Sequence, residues 1–384
     1  MSNFSWKIKK KSKINNSRIG LISTPHGNIE TPAFIFCATK GALKSFSTLD
    51  AKKNNTQIIL SNTYHLMLQP GSEIIANHGG LHRFMSWDGP MLTDSGGFQI
   101  FSLGSGSVAD EIKGRKLNTK QKRTMLNINE EGAIFKSYLD GSNLLLSPEK
   151  SIKIQRDLGA DFIVVFDECT PFNVDKNYTS DSMLRSHRWA IRSINSFNSK
   201  IKYDYQKGSA GSQKIYGIIQ GGVYKDLREE SIEFNQNQID TFGIAIGGSL
   251  GSTKDEMREV VNFTASKLKN TRPIHLLGIG DPIDIWTFVE DGIDTFDCVS
   301  PTRLARHGSA LVKGKKAKIN LKNIEFKEKL EPIERDCNCY TCKNFTLSYL
   351  YHLFSSQELL GMQLLTHHNI FFMNNLMTVI RESI

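Results

Sequence analysis

Ile293-Asp294-Thr295-Phe296-Asp297-Cys298-Val299-Ser300-Pro301-Thr302-Arg303-Leu304-Ala305-Arg306 is the stretch whose reading decides the fold. Its first half is a short apolar run that reads as a buried strand, yet it carries Asp297 near its end. A carboxylate there is costly to bury unless something pairs or uses it. Five residues later begins Thr302-Arg303-Leu304-Ala305-Arg306, an arginine pair with no acidic neighbour, suited to a polyanion. The competing reading is a structural Asp capping a turn, followed by arginines on a solvated face.

The same form recurs along the chain. Short apolar runs ending on a polar or glycine-rich signal occupy 31–38, 57–62, 90–94, 161–167, 215–220, 242–247, 274–278 and 293–297. Helical periodicity fills several of the intervals, at 147–158, 180–197, 226–234, 254–267 and 282–290. Eight β units alternating with helices predict an α/β chain built as a (β/α)8 TIM barrel rather than an open doubly wound sheet. Such a barrel presents its chemistry at the C-terminal strand ends. Here those ends carry Asp94, Asp167, Gln220, Gly247-Gly248, Gly278-Ile279-Gly280 and Asp297. So many converging polar ends are hard to explain as packing, which favours Asp297 as an active-site residue.

The interval between Asp94 and Asp161 is too long for one helix. Its middle, 109–146, is rich in Lys, Asn and Gly and is expected to form a hairpin excursion outside the barrel. Residues 199–213, with Gly208-Ser209-Ala210-Gly211-Ser212, read as a flexible loop. The expected division is a basic leader and N-terminal extension (1–18), the catalytic barrel (19–320), and a zinc-binding subdomain with a C-terminal helix (321–384).

At 384 residues the chain suits one large barrel with attachments, or two to three ordinary domains. A net charge of +9 is compatible with a nucleic-acid partner. No stretch approaches the ~20 apolar residues of a membrane span, and residues 1–13 lack the apolar core of a signal peptide. The expected compartment is therefore the cytoplasm.

Of six cysteines, Cys37, Cys169 and Cys298 stand alone in apolar runs and read as small buried residues. The other three form Cys337-Asn338-Cys339-Tyr340-Thr341-Cys342, followed by an expected helix at 345–361 and then His367-His368. Three thiolates and one imidazole compose a closed Cys3His set for a structural Zn2+, with no open position for substrate. Thiolates this close repel one another unless a cation neutralises them. Spacing leaves either histidine as the fourth ligand.

Five motifs recur in an order that resembles a known family. They are Thr93-Asp94-Ser95-Gly96-Gly97-Phe98-Gln99, Phe166-Asp167-Glu168-Cys169-Thr170-Pro171, Ile219-Gln220-Gly221-Gly222, Ala245-Ile246-Gly247-Gly248 and Phe296-Asp297-Cys298-Val299. With the Cys3His tail, the chain from about Ile19 onward is similar to the bacterial-type tRNA-guanine transglycosylases, or queuine tRNA-ribosyltransferases. The resemblance implies exchange of guanine at wobble position 34 for a 7-deazaguanine, preQ1 or queuine, in tRNAs with G-U-N anticodons (Asp, Asn, His and Tyr). It implies Asp297 as nucleophile and Asp94 as proton acceptor. Asp94, Ser95, Gly96, Gly97, Asp167, Gln220 and Gly248 match base-binding positions, and Phe98 the aromatic that stacks on the base. Gly278, Ile279, Gly280, Asp281, Pro282, Ile283 and Asp284 match one RNA-binding stretch. Thr302, Arg303, Leu304, Ala305 and Arg306 match the other, around the wobble base. Cys337, Cys339, Cys342 and His368 match the ligands of one structural zinc per subunit. A homodimer gripping the anticodon arm of tRNA is implied as well.

These residues suit that chemistry. Breaking a base–ribose bond builds oxocarbenium character at C1′, and attack by a carboxylate followed by a second displacement retains configuration. Asp297 would form the covalent ribosyl-enzyme, and Asp94 would take a proton from the incoming base. Asp167 can accept from the purine N1–H and amine together. The Gln220 amide and the Gly248 N–H can donate to the carbonyl oxygen.

The sequence departs from the family pattern after Gly248. The usual Leu-x-Val-Gly-Glu is replaced by Ser249-Leu250-Gly251-Ser252-Thr253, shorter by about one residue and without the acid, and Leu277 stands where a Met is usual. PreQ1 is the default incoming base that the resemblance implies; that Glu helps the family accommodate its cationic aminomethyl group, so the loss of the acid opens queuine as the alternative. A non-catalytic tRNA-binding paralogue would lack the acidic pair that is present here. An archaeal-type enzyme would carry extra C-terminal domains. For a small-molecule barrel glycosidase, the arginine pair would have no obvious purpose.

Overall fold

The strands Ala33–Cys37, Ile59–Ser61, Met91–Thr93, Phe162–Val164, Lys214–Ile219, Gly243–Ile246, Ile274–Leu276 and Thr295–Cys298 are all parallel and close into one barrel. Closure is made by the last strand lying beside the first, with Asp297 opposite Ile35 and Cys298 opposite Phe36. The computed structural model describes residues 4–105, 125–170, 174–199, 212–269, 271–314 and 316–384.

Alternation along the strands sorts side chains to two layers. In Ala33–Cys37, Phe34 and Phe36 pack with Ile285, Phe288 and Ile370 from the surrounding helices. Ile35 packs instead with Leu92, Phe162 and Tyr216 inside the barrel. His275 and Thr295 also line this interior, which retains a cavity of only ≈ 10 Å³. The barrel is thus a filled core that leaves its upper rim for chemistry.

The N-terminal segment supplies a floor. Ser5–Lys11, Arg18–Thr24 and Gly27–Thr31 form an antiparallel sheet, and Ile22 and Ile29 cover the interior from below. Lys7 to Lys11, within the segment expected as a basic leader, lie in the first of these strands. Arg18 is buried and its Nε donates to Asp294 Oδ1 at 2.8 Å. Asp294 Oδ2 also accepts from the Ile274 N–H at 2.7 Å. The two aspartates of 293–306 therefore serve opposite ends of one strand, Asp294 tying the floor to the barrel and Asp297 facing the mouth.

Between the third and fourth barrel strands, Met125–Ile128, Ala133–Lys136 and Asn143–Leu146 form an antiparallel sheet. This accounts for the C-terminal part of the hairpin excursion expected at 109–146; residues 106–124 lie outside the described residues. So do residues 200–211 of the expected flexible loop.

After the barrel, Ser300–Arg306 is a short helix, and Ser309–Leu311 pairs with Lys318–Asn320. The single helix expected at 345–361 is instead two. Leu347–Ser355 begins at Thr346, whose Oγ1 accepts from the Tyr349 N–H at 3.2 Å. The chain then turns at Gln357, with φ +57°, into Leu359–Ser383. The turn lets the two helices fold together over Leu350, Leu353, Leu364 and Leu365, so a single apolar periodicity spans a break. Among the described residues no helix is long and apolar enough to cross a membrane.

Candidate active site

Three carboxylates gather at the C-terminal mouth of the barrel. Asp297 belongs to the last strand, and the period of two that turns Thr295 inward turns Asp297 inward as well. Its Oδ1 is held from two sides, by His275 Nε2 at 3.1 Å and by the Gly278 N–H at 3.1 Å. The His275 ring is fixed in turn by Thr295 Oγ1, 2.9 Å from Nδ1. A proton on Nε2 lets the ring donate to Asp297. Oδ2 keeps one weak neighbour, the Cys37 thiol at 3.8 Å. One carboxylate oxygen is pinned and the other faces the mouth.

Asp94 follows the strand Met91–Thr93. Its Oδ1 accepts from the Thr63 N–H at 2.9 Å and the Gly96 N–H at 3.2 Å, while the Asn62 amide donates to Oδ2. Burial raises this carboxyl. The three donors oppose that, the negative charge of Asp297 adds to it, and the balance stands at about 7. Asp94 is thus able both to hold and to release a proton near neutrality.

Asp167 ends the fourth barrel strand region, 7% exposed. Ser95 Oγ donates to its Oδ1 at 3.0 Å and Gln220 Nε2 to its Oδ2 at 2.7 Å. Burial pushes this carboxyl up to about 6 against those two bonds. Gln220 Oε1 is buried without a hydrogen-bond partner. Gly97 lies so close to the Asp167 carbonyl that a Cβ would stand 2.5 Å from it, and a Cβ on Gly248 (φ +78°) would stand 2.6 Å from Gln220 Oε1. These glycines are needed for the loops to approach the pocket. Phe98 is 45% exposed at the rim, available as a stacking surface.

The structure therefore brings together Asp94, Ser95, Gly96, Gly97, Phe98, Asp167, Gln220, Gly248, Gly278 and Asp297. It treats the two expected RNA-binding stretches differently. Arg303 and Arg306 sit on the short helix that follows Asp297, Arg303 exposed and Arg306 partly buried. Along 278–284, Asp281 caps the helix Pro282–Glu290 through the Ile283 N–H at 3.0 Å. Asp284 is buried against Lys254 and Arg258 at 3.0 and 2.8 Å.

Several site residues were not singled out by the sequence. His275 lies in an apolar strand and looks like an ordinary core histidine. Cys37 is buried as expected, but beside Asp297. Lys40 and Lys44 read as loop lysines. Lys44 is held below its usual range by burial and by the nearby charges of Arg306, Lys40 and Arg303, so four cations lie within electrostatic reach of one another.

The cysteine cluster is some way along the chain from this pocket. One ligand atom from each of Cys337, Cys339, Cys342 and His368 lies within 4.8 Å of all the others. His368 Nδ1 is 3.8, 3.5 and 3.4 Å from the three sulfurs in that order. Its Nε2 lies 2.8 Å from the Leu311 carbonyl, a partner that can only accept, so Nδ1 is the nitrogen left for a cation. Burial disfavours a charged His368, yet the sulfurs favour it strongly enough to push it up to about 10. The cluster is built for positive charge, and a tetrahedral Cys3His donor set fits zinc. His367 instead faces Asn54, with its Nδ1 at 3.2 Å from the amide.

Known proteins are similar to this chain along nearly its whole length. Residues 13–384 match the family model described as Queuine tRNA-ribosyltransferase. The chain is 46% identical to the queuine tRNA-ribosyltransferase of Roseiflexus sp. (strain RS-1), covering 98% of this chain and 95% of that protein. It is 43% identical to that of Protochlamydia amoebophila (strain UWE25), covering 100% and 96%. Identity to that of Francisella tularensis subsp. novicida (strain U112) is 44%, covering 98% and 93%.

The opposition of Asp94 and Asp297 can be measured directly. A protonated-carboxyl infrared band, assigned by its loss in Asp94→Asn, should titrate away with a midpoint of about 7. Asp297→Asn removes the neighbouring negative charge and should move that midpoint down. An unmoved midpoint would show that the two groups do not sense each other.

Proposed function

Because the chain belongs to the queuine tRNA-ribosyltransferase family, we propose that it exchanges guanine at wobble position 34 of tRNAs with G-U-N anticodons (Asp, Asn, His and Tyr) for a 7-deazaguanine, through a ribosyl–Asp297 intermediate. The observation that carries this reading is the pair at the mouth: Asp297 with one oxygen pinned, and Asp94 raised to about 7 in part by the charge of Asp297.

The steps follow from those roles. Asp297 Oδ2 bonds to C1′ as the C1′–N9 bond breaks, and that electron pair leaves on the base. Neutral Asp94 gives the departing base a proton and becomes a carboxylate. The incoming base returns a proton to Asp94, and its ring nitrogen displaces Oδ2 from C1′. Two inversions leave the ribose configuration unchanged. His275 and Gly278 hold Oδ1 throughout, so the attacking oxygen needs no search. Asp167 accepts from the base N1–H and amine, while Gln220 Nε2 turns from Asp167 to the base carbonyl beside the Gly248 N–H. A base without these groups leaves buried polar atoms unpaired and is rejected strongly. Lys40, Lys44, Arg303 and Arg306 suit the phosphates flanking the wobble nucleotide, positioning the tRNA more than reading it.

Radiolabelled guanine should enter unmodified tRNA at position 34, and a tRNA–protein adduct should survive on denaturing gels. Asp297→Ala should abolish the adduct. An adduct that persists in Asp297→Ala would remove the nucleophile assignment, and no incorporation by the wild-type protein would remove the whole reading.

The same reading assigns one Zn2+ to Cys337, Cys339, Cys342 and His368. When bound, it supplies a structural cross-link and leaves no position for substrate. It also assigns a cytoplasmic homodimer, with Tyr340, Tyr349 and Leu359 of the subdomain among its exposed apolar residues. Metal analysis should find about one zinc per chain. A chelator that strips it should lower the melting temperature and convert a sedimenting dimer to monomer. Full stability and unchanged mass after complete zinc removal would contradict both assignments.

The loop after Gly248 favours queuine over preQ1 as the incoming base. Within Ser249–Thr253 there is no acid; of the two carboxylates that follow, Asp255 lies 3.7 Å from Arg258 and Glu256 accepts from the Ser252 N–H at 2.8 Å. An aminomethyl cation on the base would find no free carboxylate in that loop. Direct competition should give queuine the higher kcat/KM; a strong preference for preQ1 would overturn this.

A further inference from the structure

Arg228 is one of the largest fully buried side chains of the protein, 1% exposed. It lies on the helix Lys225–Asn237, directly behind the base pocket. Its guanidinium makes no ion pair with a carboxylate among the described residues, and burial pulls it down to about 10. A buried cation without an anionic partner is costly. Among the described residues its hydrogen bonds all go to main-chain carbonyls, and Cys169 is the one group nearby whose negative charge would favour it. Nε donates to Gly222 O at 2.7 Å, Nη1 to Gly247 O at 2.9 Å and to Ile219 O at 3.4 Å, and Nη2 to Ser249 O at 3.2 Å. Three of these carbonyls belong to the two loops that carry Gln220 and Gly248, and the fourth, Ile219, ends the strand just before Gln220. An uncharged side chain could tie those loops together at less cost, so the charge itself calls for a purpose.

The Gly247 carbonyl and the Gly248 N–H are the two ends of one peptide group. Resonance across the C–N bond couples them, so a cation on the oxygen draws electron density from the nitrogen and makes its N–H a stronger donor. In a pocket shielded from water that effect is little screened. We propose that Arg228 is a positioning residue that polarises the Gly247–Gly248 peptide, so that the Gly248 N–H stabilises negative charge on the carbonyl oxygen of the exchanged base. This rests on the base-exchange reading above. When C1′–N9 breaks, the electron pair received by N9 spreads through the ring to that carbonyl oxygen. The Gly248 N–H meets the charge there, and Arg228 supplies the positive end of the chain. Its contribution is small for the bound neutral base and large when the bond is broken, which is the requirement for acting on rate rather than binding.

The test compares the wild-type protein with Arg228→Gln, which keeps polarity without charge, and Arg228→Lys, which keeps charge but loses the fork spanning Gly247 and Ser249. Exchange rates are measured with a series of incoming guanine and 7-deazaguanine bases of graded N9–H acidity. Arg228→Gln should lower kcat about 10- to 100-fold with little change in KM for the base. The deficit should grow as the base becomes a weaker acid. Arg228→Lys should show the same grading at smaller amplitude, and it serves alone where the glutamine variant fails to fold in a thermal melt. A deficit equal for every base, or confined to KM, would reduce Arg228 to a staple between loops and overturn the proposal. Absence of guanine exchange by the wild-type protein would instead overturn the base-exchange reading itself, and this inference with it.

Discussion

The parallel pairing of Thr295–Cys298 with Ala33–Cys37 is the contact on which the rest of the structure depends. It closes the barrel, and closure sets which side chains face inward. Because the side-chain period is two, Thr295 and Asp297 share the inner face while Phe296 joins the outer core. A register slip of one residue would send Asp297 into the apolar layer beneath the helices and bring Phe296 to the mouth. The register is held at the opposite end of the same strand by Asp294, locked to Arg18 and to the Ile274 N–H. Structure at the floor and chemistry at the mouth are thus two ends of one rigid element.

Closure also creates an electrostatic problem. Asp94, Asp167 and Asp297 all end inside one rim, while the cations Lys40, Lys44, Arg303 and Arg306 lie within electrostatic reach of one another. Main-chain N–H groups and polar side chains make up most of their surroundings: the Thr63 and Gly96 N–H groups and the Asn62 amide for Asp94, Ser95 and Gln220 for Asp167, His275 and the Gly278 N–H for Asp297. Such donors orient a carboxylate without neutralising it. Burial is then free to raise Asp94 to about 7, with the charge of Asp297 adding to it, and Asp167 to about 6, with the charge of Glu168 adding to it. A cation placed among them would have paired their charge and held both carboxyls down.

The architecture was legible in sequence because each barrel strand is a short apolar run stopped by a polar or glycine signal, and the helices Lys254–Lys267 and Pro282–Glu290 carry clear periodicity with capping residues at their starts. Asp297 was legible because a carboxylate does not belong in such a run. His275 was not, since one imidazole among Ile274, Leu276 and Leu277 has the pattern of a core residue. Only the parallel register that sets it beside Thr295 shows what it touches. Arg228 was hidden for a similar reason, standing next to Glu229 and Glu230 on a helix whose burial no local pattern reveals. The helix break at Gln357 escaped because both flanking helices bury residues in the same cluster, so the periodicity continues where the backbone does not.

The metal subdomain is tied to the mouth by two adjacent side chains. His368 presents Nδ1 to the three sulfurs, while its Nε2 meets the Leu311 carbonyl. The next residue, Asn369, donates to the carbonyls of Pro301 and Ser309 at 2.9 and 3.1 Å and accepts from the Leu311 N–H at 2.9 Å. Pro301 lies in the helix that carries Arg303 and Arg306, and that helix starts two residues after the strand bearing Asp297 ends. A helix of seven residues is too short to hold its place by its own hydrogen bonds. Its position relative to Asp297 is therefore set by the long C-terminal helix through Asn369, and the placement of that helix is fixed one residue earlier by the Cys3His cluster. The cluster thus bears on the mouth without lying in it, through where Arg303 and Arg306 stand relative to Asp297.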